Sequence, residues 1–412
     1  MKPRHLMLLP ALAASLIAAA LVTDRVPPGK PEDSGMSSER LERIHEAIQR
    51  HIDAGEICGA VTVVARRGRL VHFEAHGLMD IESKRPMEKG AIFRIASMTK
   101  PITGVAVMMM MEEGKLRLSD PVSKFIPEFK NPKVAMPWTG PQGFYLVPAD
   151  RELTIRDLLT HTNGLVTGGP GSKAAPPRMV EGDTLANYIP RLAATPLDFQ
   201  PGTQWAYSGY AAPDTLGRIV EIVSGMPYDE FLRTRLFEPL RMKDTFFYPP
   251  DDKRSRMVTL YNKSPIGLVR APNQNGFSLK SYFSGGGGLM STAEDYLQFA
   301  QMLLNGGELN GRRYLSPRTV ELMASNHVGD MFNGKLGRPA HGMGYGLLVG
   351  IVEDGVAAGL RVSNGSFGWD GAYGTQTWID PKEKMVTIVM INTQIVQVQR
   401  DFENAVMQAI IE

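Results

Sequence analysis

Ser97-Met98-Thr99-Lys100-Pro101-Ile102-Thr103-Gly104-Val105-Ala106-Val107-Met108-Met109-Met110-Met111 is the stretch from which the fold is read. Its first four residues are the only S-x-x-K in the chain, and from Ile102 onward it is almost wholly apolar. At the start of a helix, residues i and i+3 share a face, so the Ser97 hydroxyl and the Lys100 amine can meet. A serine hydroxyl becomes a nucleophile when a neighbouring base takes its proton. A lysine can be that base where burial lowers its pKa enough to hold a neutral fraction near neutral pH. The helix start also puts the Ser97 backbone N–H where it can support a developing oxyanion. A capping serine and a surface lysine would spell the same four letters. The apolar run argues against that reading, because it buries the lysine's surroundings. Four consecutive methionines, Met108 to Met111, invite a metal or cofactor reading, but thioethers filling irregular space around a buried helix account for them better. Pro101 implies an irregular first turn, since proline has no N–H to donate further inside.

Outward from this helix, the chain reads as sheet at both ends and helices between. Ser37 or Ser38 caps a predicted amphipathic helix with Leu41, Ile44, Ile48 and Ile52 on one face, ended by Gly55. Two strand-like runs, Ala60 to Ala65 and Leu70 to Ala75, are joined by Arg66-Arg67-Gly68-Arg69 and predict a β-hairpin. Helices are predicted over Leu153 to Leu159, Leu185 to Ala193 (broken at Pro190), Tyr210 to Ser224 and Tyr228 to Leu236. Between them lie loops from Asn131 to Pro148, Val166 to Gly182 and Tyr248 to Gly288, long enough to wall or cover a binding site. Gly285 to Gly288 leads into Ser291-Thr292-Ala293-Glu294, a capping box opening a helix through Leu304. Strands over Gly374 to Ile379 and Met385 to Ile391 flank the turn Asp380 to Lys384, and a last helix is predicted from Val396 to Ile411. There is no internal repeat. The expected fold is α/β (α+β): an antiparallel sheet built from both chain ends and flanked by terminal helices, with an inserted helical lobe. Residues 37–120 and 285–412 would form the sheet part and 121–284 the insert.

Composition narrows the function classes. A chain of 412 residues with 43% hydrophobic and 21% charged residues is an ordinary globular one. A formal net charge of +2 with scattered Lys and Arg does not suggest a nucleic-acid partner. The single cysteine, Cys58, excludes an internal disulfide framework and a zinc ribbon, and its flanks read as a strand entering the core. Lys2 and Arg4 precede an apolar stretch from Leu6 to Val22 that includes Ala18-Ala19-Ala20. A charged start, a short apolar run and small residues read as a secretory signal over residues 1–25, with a linker over 26–36. That implies a periplasmic or secreted protein without stable membrane association. The alternative is an uncleaved anchor, although Pro10 interrupts the run.

Two further motifs give the first one its meaning. Trp205-Ala206-Tyr207-Ser208-Gly209-Tyr210 precedes a helix, and Ser366-Phe367-Gly368-Trp369-Asp370-Gly371-Ala372-Tyr373-Gly374 precedes a terminal strand. The order S-x-x-K, then Y-S-x, then a glycine-bearing strand motif resembles the serine β-lactamase and penicillin-binding superfamily. The nearest branch is the esterases related to class C β-lactamases, the family VIII carboxylesterases. The likeness spans roughly Met36 to the C-terminus and includes Leu158-Leu159-Thr160-His161-Thr162-Asn163-Gly164-Leu165. It implies Ser97 as acylated nucleophile, Lys100 as general base and Tyr207 as the proton relay to or from the leaving group. Trp369-Asp370-Gly371 falls where relatives carry K-T-G or H-x-G, and Ala372 would offer the second oxyanion N–H. Gly371 suits that place because a side chain would crowd the acyl group.

The sequence departs from the family pattern twice, and both departures bear on substrate. Gly209 stands where β-lactamases carry the Asn of Y-x-N, and Trp369 brings no cation for a substrate carboxylate. A buried polar contact that specifies a substrate discriminates strongly when present. Neutral esters of small hydrophobic acyl groups are therefore expected ahead of β-lactams. The alternatives with the same centre are a β-lactamase, a D-amino-acid peptidase or a transacylase. A non-enzymatic binding or scaffold protein would follow if Gly209 marked a degenerate site. No cofactor is expected. There is no G-x-S-x-G, and the eight histidines show neither HExxH nor a tight ligand cluster, so zinc is not expected. Gly168-Gly169-Pro170-Gly171-Ser172-Lys173 resembles a phosphate loop but lacks its spacing and preceding strand. His161 could be proposed as a triad base, but its T-H-T-N-G context favours a structural role at a helix end.

Overall fold

The computed structural model describes residues 25–174, 176–274 and 280–412. The segment read as a signal or anchor lies, through residue 24, outside the described residues. Helix α1 (Ser38–Asp53) starts at Ser37, whose hydroxyl accepts from the Arg40 N–H, and it buries Leu41, Ile44 and Ile48 along one stripe. The hairpin follows as β1 (Gly59–Arg66) and β2 (Arg69–Asp80). Arg67 and Gly68 both have positive φ, 51° and 72°, the two-residue turn that matches the twist of paired strands. A short β3 (Arg85–Pro86) pairs with β2.

From the other end of the chain come β4 (Met343–Tyr345), β5 (Gly350–Val352), β6 (Phe367–Asp370), β7 (Gln376–Asp380) and β8 (Met385–Ile391). The eight strands form one antiparallel sheet in the order β4-β5-β6-β7-β8-β1-β2-β3. The pairing of β8 with β1, Ala60 opposite Ile391, joins the chain's two ends at its centre. Every residue of β1 and β8 is buried, as strands covered on both faces require. One face carries α1 and the C-terminal helix, whose Val398, Phe402 and Val406 join Ile44 and Ile48 in one cluster. The opposite face carries α2 (Thr99–Glu112), in which Thr99 through Met110 are all buried. The methionine run is thus core. Pro101 is tolerated because it falls in the first turn of α2, where backbone N–H groups have no intrahelical partner.

Between the two parts of the sheet lie α3 (Ile155–Thr160), α4 (Leu185–Leu192), α5 (Ala211–Ser224) and α6 (Tyr228–Leu232). The last of these runs on into a π-helical turn through Phe237. Helix α7 (Ala293–Leu304) then packs back on the sheet, and α8 (Pro317–Met323), α9 (Gly355–Ala358) and α10 (Val396–Met407) complete the set.

Several local expectations are corrected. Pro190 lies inside α4 without breaking it, because the helix ends two residues later. The loop over residues 131–148 holds a hairpin, Lys133–Pro137 with Phe144–Pro148. A second hairpin, Tyr261–Ser264 with Gly267–Arg270, stands in the region between Tyr248 and Gly288. Thr292, not Ser291, caps α7, accepting from the Asp295 N–H. Residues 26–36 do not dangle: Val26 and Met36 are buried, and Pro28 and Met36 bridge to Leu70 and Ile410.

Candidate active site

Ser97 sits in a 3-10 turn, Ala96–Met98, that runs directly into α2. Three segments distant in sequence meet around its hydroxyl. Lys100, one turn on, is wholly buried; its Nζ donates to Ser97 Oγ at 3.1 Å and to the Gly286 carbonyl at 2.6 Å. Tyr207 donates its hydroxyl to Ser97 Oγ at 2.8 Å. Trp369, in β6 within the sheet, donates Nε1 to the Tyr207 hydroxyl at 3.4 Å. Burial pulls the Lys100 amine down to about 7, against an upward pull from the Asp214 carboxylate. Burial pushes the Tyr207 phenol up to about 12, so it keeps its proton at neutral pH. Ser97 Oγ therefore faces an amine that has partly lost its proton and a phenol that keeps its own.

The lysine's carbonyl partner comes from the four-glycine run. Asp214, buried in α5, accepts from the Gly286 N–H at 3.0 Å, Ser284 Oγ at 2.8 Å and Tyr282 OH at 2.8 Å. Burial raises its carboxyl to about 6 despite those donors. A Cβ on Gly286 would come within 2.6 Å of the Gly209 carbonyl oxygen, and one on Gly285 within 2.7 Å of the Pro213 carbonyl. Only glycine lets this loop lie against the start of α5. Neither Asp214 nor Gly286 was singled out from sequence. The signal was the glycine run itself, read only as the approach to a helix.

Ser97, Tyr207, Trp369, Asp370, Gly371 and Ala372 line one open cleft of about 210 Å³, together with Leu336, Arg338 and Gln394. Gly209 is not among the residues lining the cleft, and it has room beyond its Cα: a Cβ there would meet only the Tyr207 ring, at 3.7 Å. Gly371 is required by its protein neighbours as well. A Cβ would strike Thr375 Oγ1 at 2.3 Å and the Ile95 carbonyl at 2.4 Å. The Gly371 N–H donates to the Thr375 carbonyl at 2.7 Å, and Gly374 N–H returns to the Gly371 carbonyl at 2.9 Å, which fixes the turn carrying Ala372.

The cleft does hold a cation, contrary to the reading of the third motif alone. Arg338 is ion-paired with Asp370, and its guanidinium lies 5.3 Å from the centre of the Trp369 ring. It arrives from the loop before β4, where sequence gives no hint of its destination. His161 is the left-handed end of α3, φ 57°, and its Nδ1 accepts from the Ser208 N–H at 3.3 Å. Its ring packs 4.8 Å from that of Tyr207, so it supports the tyrosine's segment as a structural residue. Gly168 to Lys173 form part of a loop fastened by Asp198, which accepts from Thr167 and Ser172.

The beta-lactamase family model matches residues 44–410. Protein Rv1367c of Mycobacterium tuberculosis is 37% identical over 363 residues, covering 85% of this chain and 90% of that one. Esterase EstB of Burkholderia gladioli is 30% identical over 389 residues, covering 88% and 92%. Among solved structures, "EstCE1, a hydrolase with promiscuous acyltransferase activity" superposes with a TM-score of 0.76 at 29% identity, over 90% of this chain and 99% of that one. With the antiparallel sheet, the inserted helices and this match over nearly the whole described length, the chain belongs to the beta-lactamase family of serine hydrolases.

Proposed function

We propose that the protein hydrolyses carboxylic esters of small hydrophobic acyl groups through an acyl-enzyme on Ser97. The observation that carries this is the convergence of Lys100 Nζ and Tyr207 OH on Ser97 Oγ, at 3.1 and 2.8 Å. In this reading neutral Lys100 takes the Ser97 proton as Oγ bonds to the ester carbonyl carbon. The carbonyl electrons move to an oxyanion held by the backbone N–H groups of Ser97 and Ala372. Tyr207 passes a proton to the departing alkoxide as the C–O bond breaks, and is reprotonated from Lys100. Water then attacks the acyl carbon by the same route, releasing the acid and restoring Ser97. Residues 121–284 act as an insert that brings Tyr207 against the sheet part, 37–120 and 285–412.

Two features support a neutral acyl group. The cleft is small, with Leu336 and Trp369 on its walls, and the Arg338 charge is matched by Asp370. The similarity to EstCE1 supports transfer of the acyl group to an alcohol as a second outcome of the same intermediate. The N-terminal charged and apolar segment supports export to the periplasm or medium; among the described residues no helix is long and apolar enough to cross a membrane. The test is intact mass after brief exposure to a fluorophosphonate. A single adduct on the wild type, absent from Ser97→Ala, is expected. An adduct retained in Ser97→Ala, or none on the wild type, would overturn the assignment.

A further inference from the structure

A second cluster of chemistry-bearing side chains stands apart from the cleft, where α1 crosses β2. Alternation along a strand sends His72, Glu74 and His76 to one face of β2, the face that α1 covers. The register places Thr62 of β1 directly opposite Glu74. From α1, His45 brings Nδ1 to 2.7 Å from Glu74 Oε1. The His76 side chain is fully buried, with Nε2 held 2.8 Å from the Thr62 hydroxyl. Its Nδ1 has no hydrogen-bond partner and faces the same Glu74 oxygen from 3.7 Å, beyond hydrogen-bond range. A buried ring nitrogen left without a partner demands an explanation. One ligand atom each from His45, Glu74 and His76 lies within 4.8 Å of the others.

We propose that His45, Glu74 and His76 bind a divalent transition-metal ion of the Zn²⁺ type, clamping α1 to the outer face of the sheet. Two imidazole nitrogens and one carboxylate are a zinc ligand set. Bonds of about 2.0–2.2 Å in a tetrahedron separate ligand atoms by roughly 3.3 Å. The distances of 2.7 and 3.7 Å bracket that value, so small shifts of His45 away from Glu74 and of the Glu74 carboxylate toward His76 bring both pairs to it. His45 is the partner free to move, since its side chain is 49% exposed, whereas His76 is fixed. On that exposed side a water can take the fourth position. Thr62 holds His76 Nε2 and so aims Nδ1 inward, as a residue supporting a metal ligand does. Of the other titratable groups nearby, His72 sits on the same Thr62 hydroxyl at 2.8 Å, and Lys89 is drawn to the Phe73 ring at 5.2 Å. The expectation that the histidines form no tight cluster fails because H-x-E-x-H on a strand is completed by a residue from a helix.

The test uses the full chain, freed of metal with EDTA and titrated with ZnCl₂ alone in a calorimeter, with thermal unfolding in parallel. One Zn²⁺ per chain and a raised Tm are expected. His45→Ala and Glu74→Gln should each weaken binding at least tenfold and abolish the Tm rise, while ester hydrolysis without metal stays at the wild-type level. Absence of both heat and Tm shift in the wild type would overturn the proposal. So would equal affinity and stoichiometry in the wild type and both variants.

Discussion

If the cleft selects neutral acyl groups as proposed, replacing Asp370 with asparagine is expected to make it accept a carboxylate. Arg338 and Asp370 are ion-paired at the cleft, with 16% and 28% of their side chains exposed, so salt screens them less than a surface pair. A substrate carboxylate arriving there meets a guanidinium already matched and a carboxylate opposing it. Asp370→Asn keeps the side chain's size and one acceptor oxygen while removing the charge, and the Trp369 ring still supports Arg338 from 5.3 Å. A hydrogen bond to a charged group contributes about 1.5–3 kcal/mol, and partial exposure places this one in the lower half of that range. At about 1.4 kcal/mol per factor of ten, the gain is roughly tenfold to fortyfold. The assay is the ratio of kcat/KM for the p-nitrophenyl monoester of succinic acid to that for p-nitrophenyl butyrate. A ratio cancels any general loss of activity. The gain should shrink as ionic strength rises, and Arg338→Ala placed on top of Asp370→Asn should remove it. An unchanged ratio, or a gain that survives loss of Arg338, would refute the argument that this pair sets the charge preference.

Further outcomes follow from the same geometry. Because burial lowers Lys100 to about 7, the proposed role of its neutral amine as the base predicts that kcat/KM rises tenfold per pH unit below that value and levels off above it. Asp214 holds that value up, so Asp214→Asn should move the midpoint to lower pH; a profile centred near the ordinary lysine range would contradict both statements. Lys100→Arg cannot shed a proton and should cost roughly 10²- to 10⁴-fold in kcat/KM, with circular dichroism reporting an intact fold. Tyr207→Phe removes the donor at 2.8 Å from Ser97 and should lower kcat for poor leaving groups more than for p-nitrophenol, since only the former need its proton. Gly371→Ala should cost about 1–3 kcal/mol in thermal unfolding and displace Ala372, with kcat falling more than KM changes.

What could be read from sequence was local pattern and motif order. The stripe Leu41-Ile44-Ile48, the Arg67-Gly68 turn and the apolar run after Ser97 each announce an element within one window of residues, and each appears where its period placed it. The cleft residues came from motif order, because S-x-x-K, Y-S-x and the Trp369 motif each occupy a short stretch of their own. What was missed depends on side chains that meet across the fold. Arg338 enters the cleft from a loop without a pattern, and Asp214 acts through a loop more than sixty residues further on. His45 reaches Glu74 only because α1 lies across β2. The hairpin over residues 133–148 was missed for a local reason: proline at Pro137 and Pro148 ends short strands that a period-two search discounts.

The turn that carries Ser97 is held under strain, and the surroundings explain why it persists. Ala96 has φ +43°, a left-handed conformation that a residue with a Cβ adopts at a cost of about 1–3 kcal/mol. Such a conformation survives where neighbouring contacts determine it several times over. The Ile95 N–H donates to the Leu289 carbonyl at 3.1 Å, and the Met98 carbonyl accepts from the Tyr296 hydroxyl at 3.0 Å. Thr99 Oγ1 accepts from the Leu289 N–H at 3.2 Å, and Gly371 packs so closely that no Cβ fits against the Ile95 carbonyl. The strained turn is thus clamped by the segment after the glycine run on one side and by the Trp369 motif on the other. The glycine run itself supplies the Lys100 acceptor, Gly286, and the Trp369 motif carries the Ala372 N–H. One set of contacts therefore fixes Ser97 Oγ relative to its proposed base and oxyanion donors, before any substrate arrives. In a reaction whose rate falls steeply with misplacement of the reacting atoms, that is what the strain accomplishes. Loosening the clamp by Tyr296→Phe, far from substrate, should lower kcat while leaving the Lys100 pH midpoint in place. A shifted midpoint with unchanged kcat would show that this contact tunes the base rather than the position of the nucleophile.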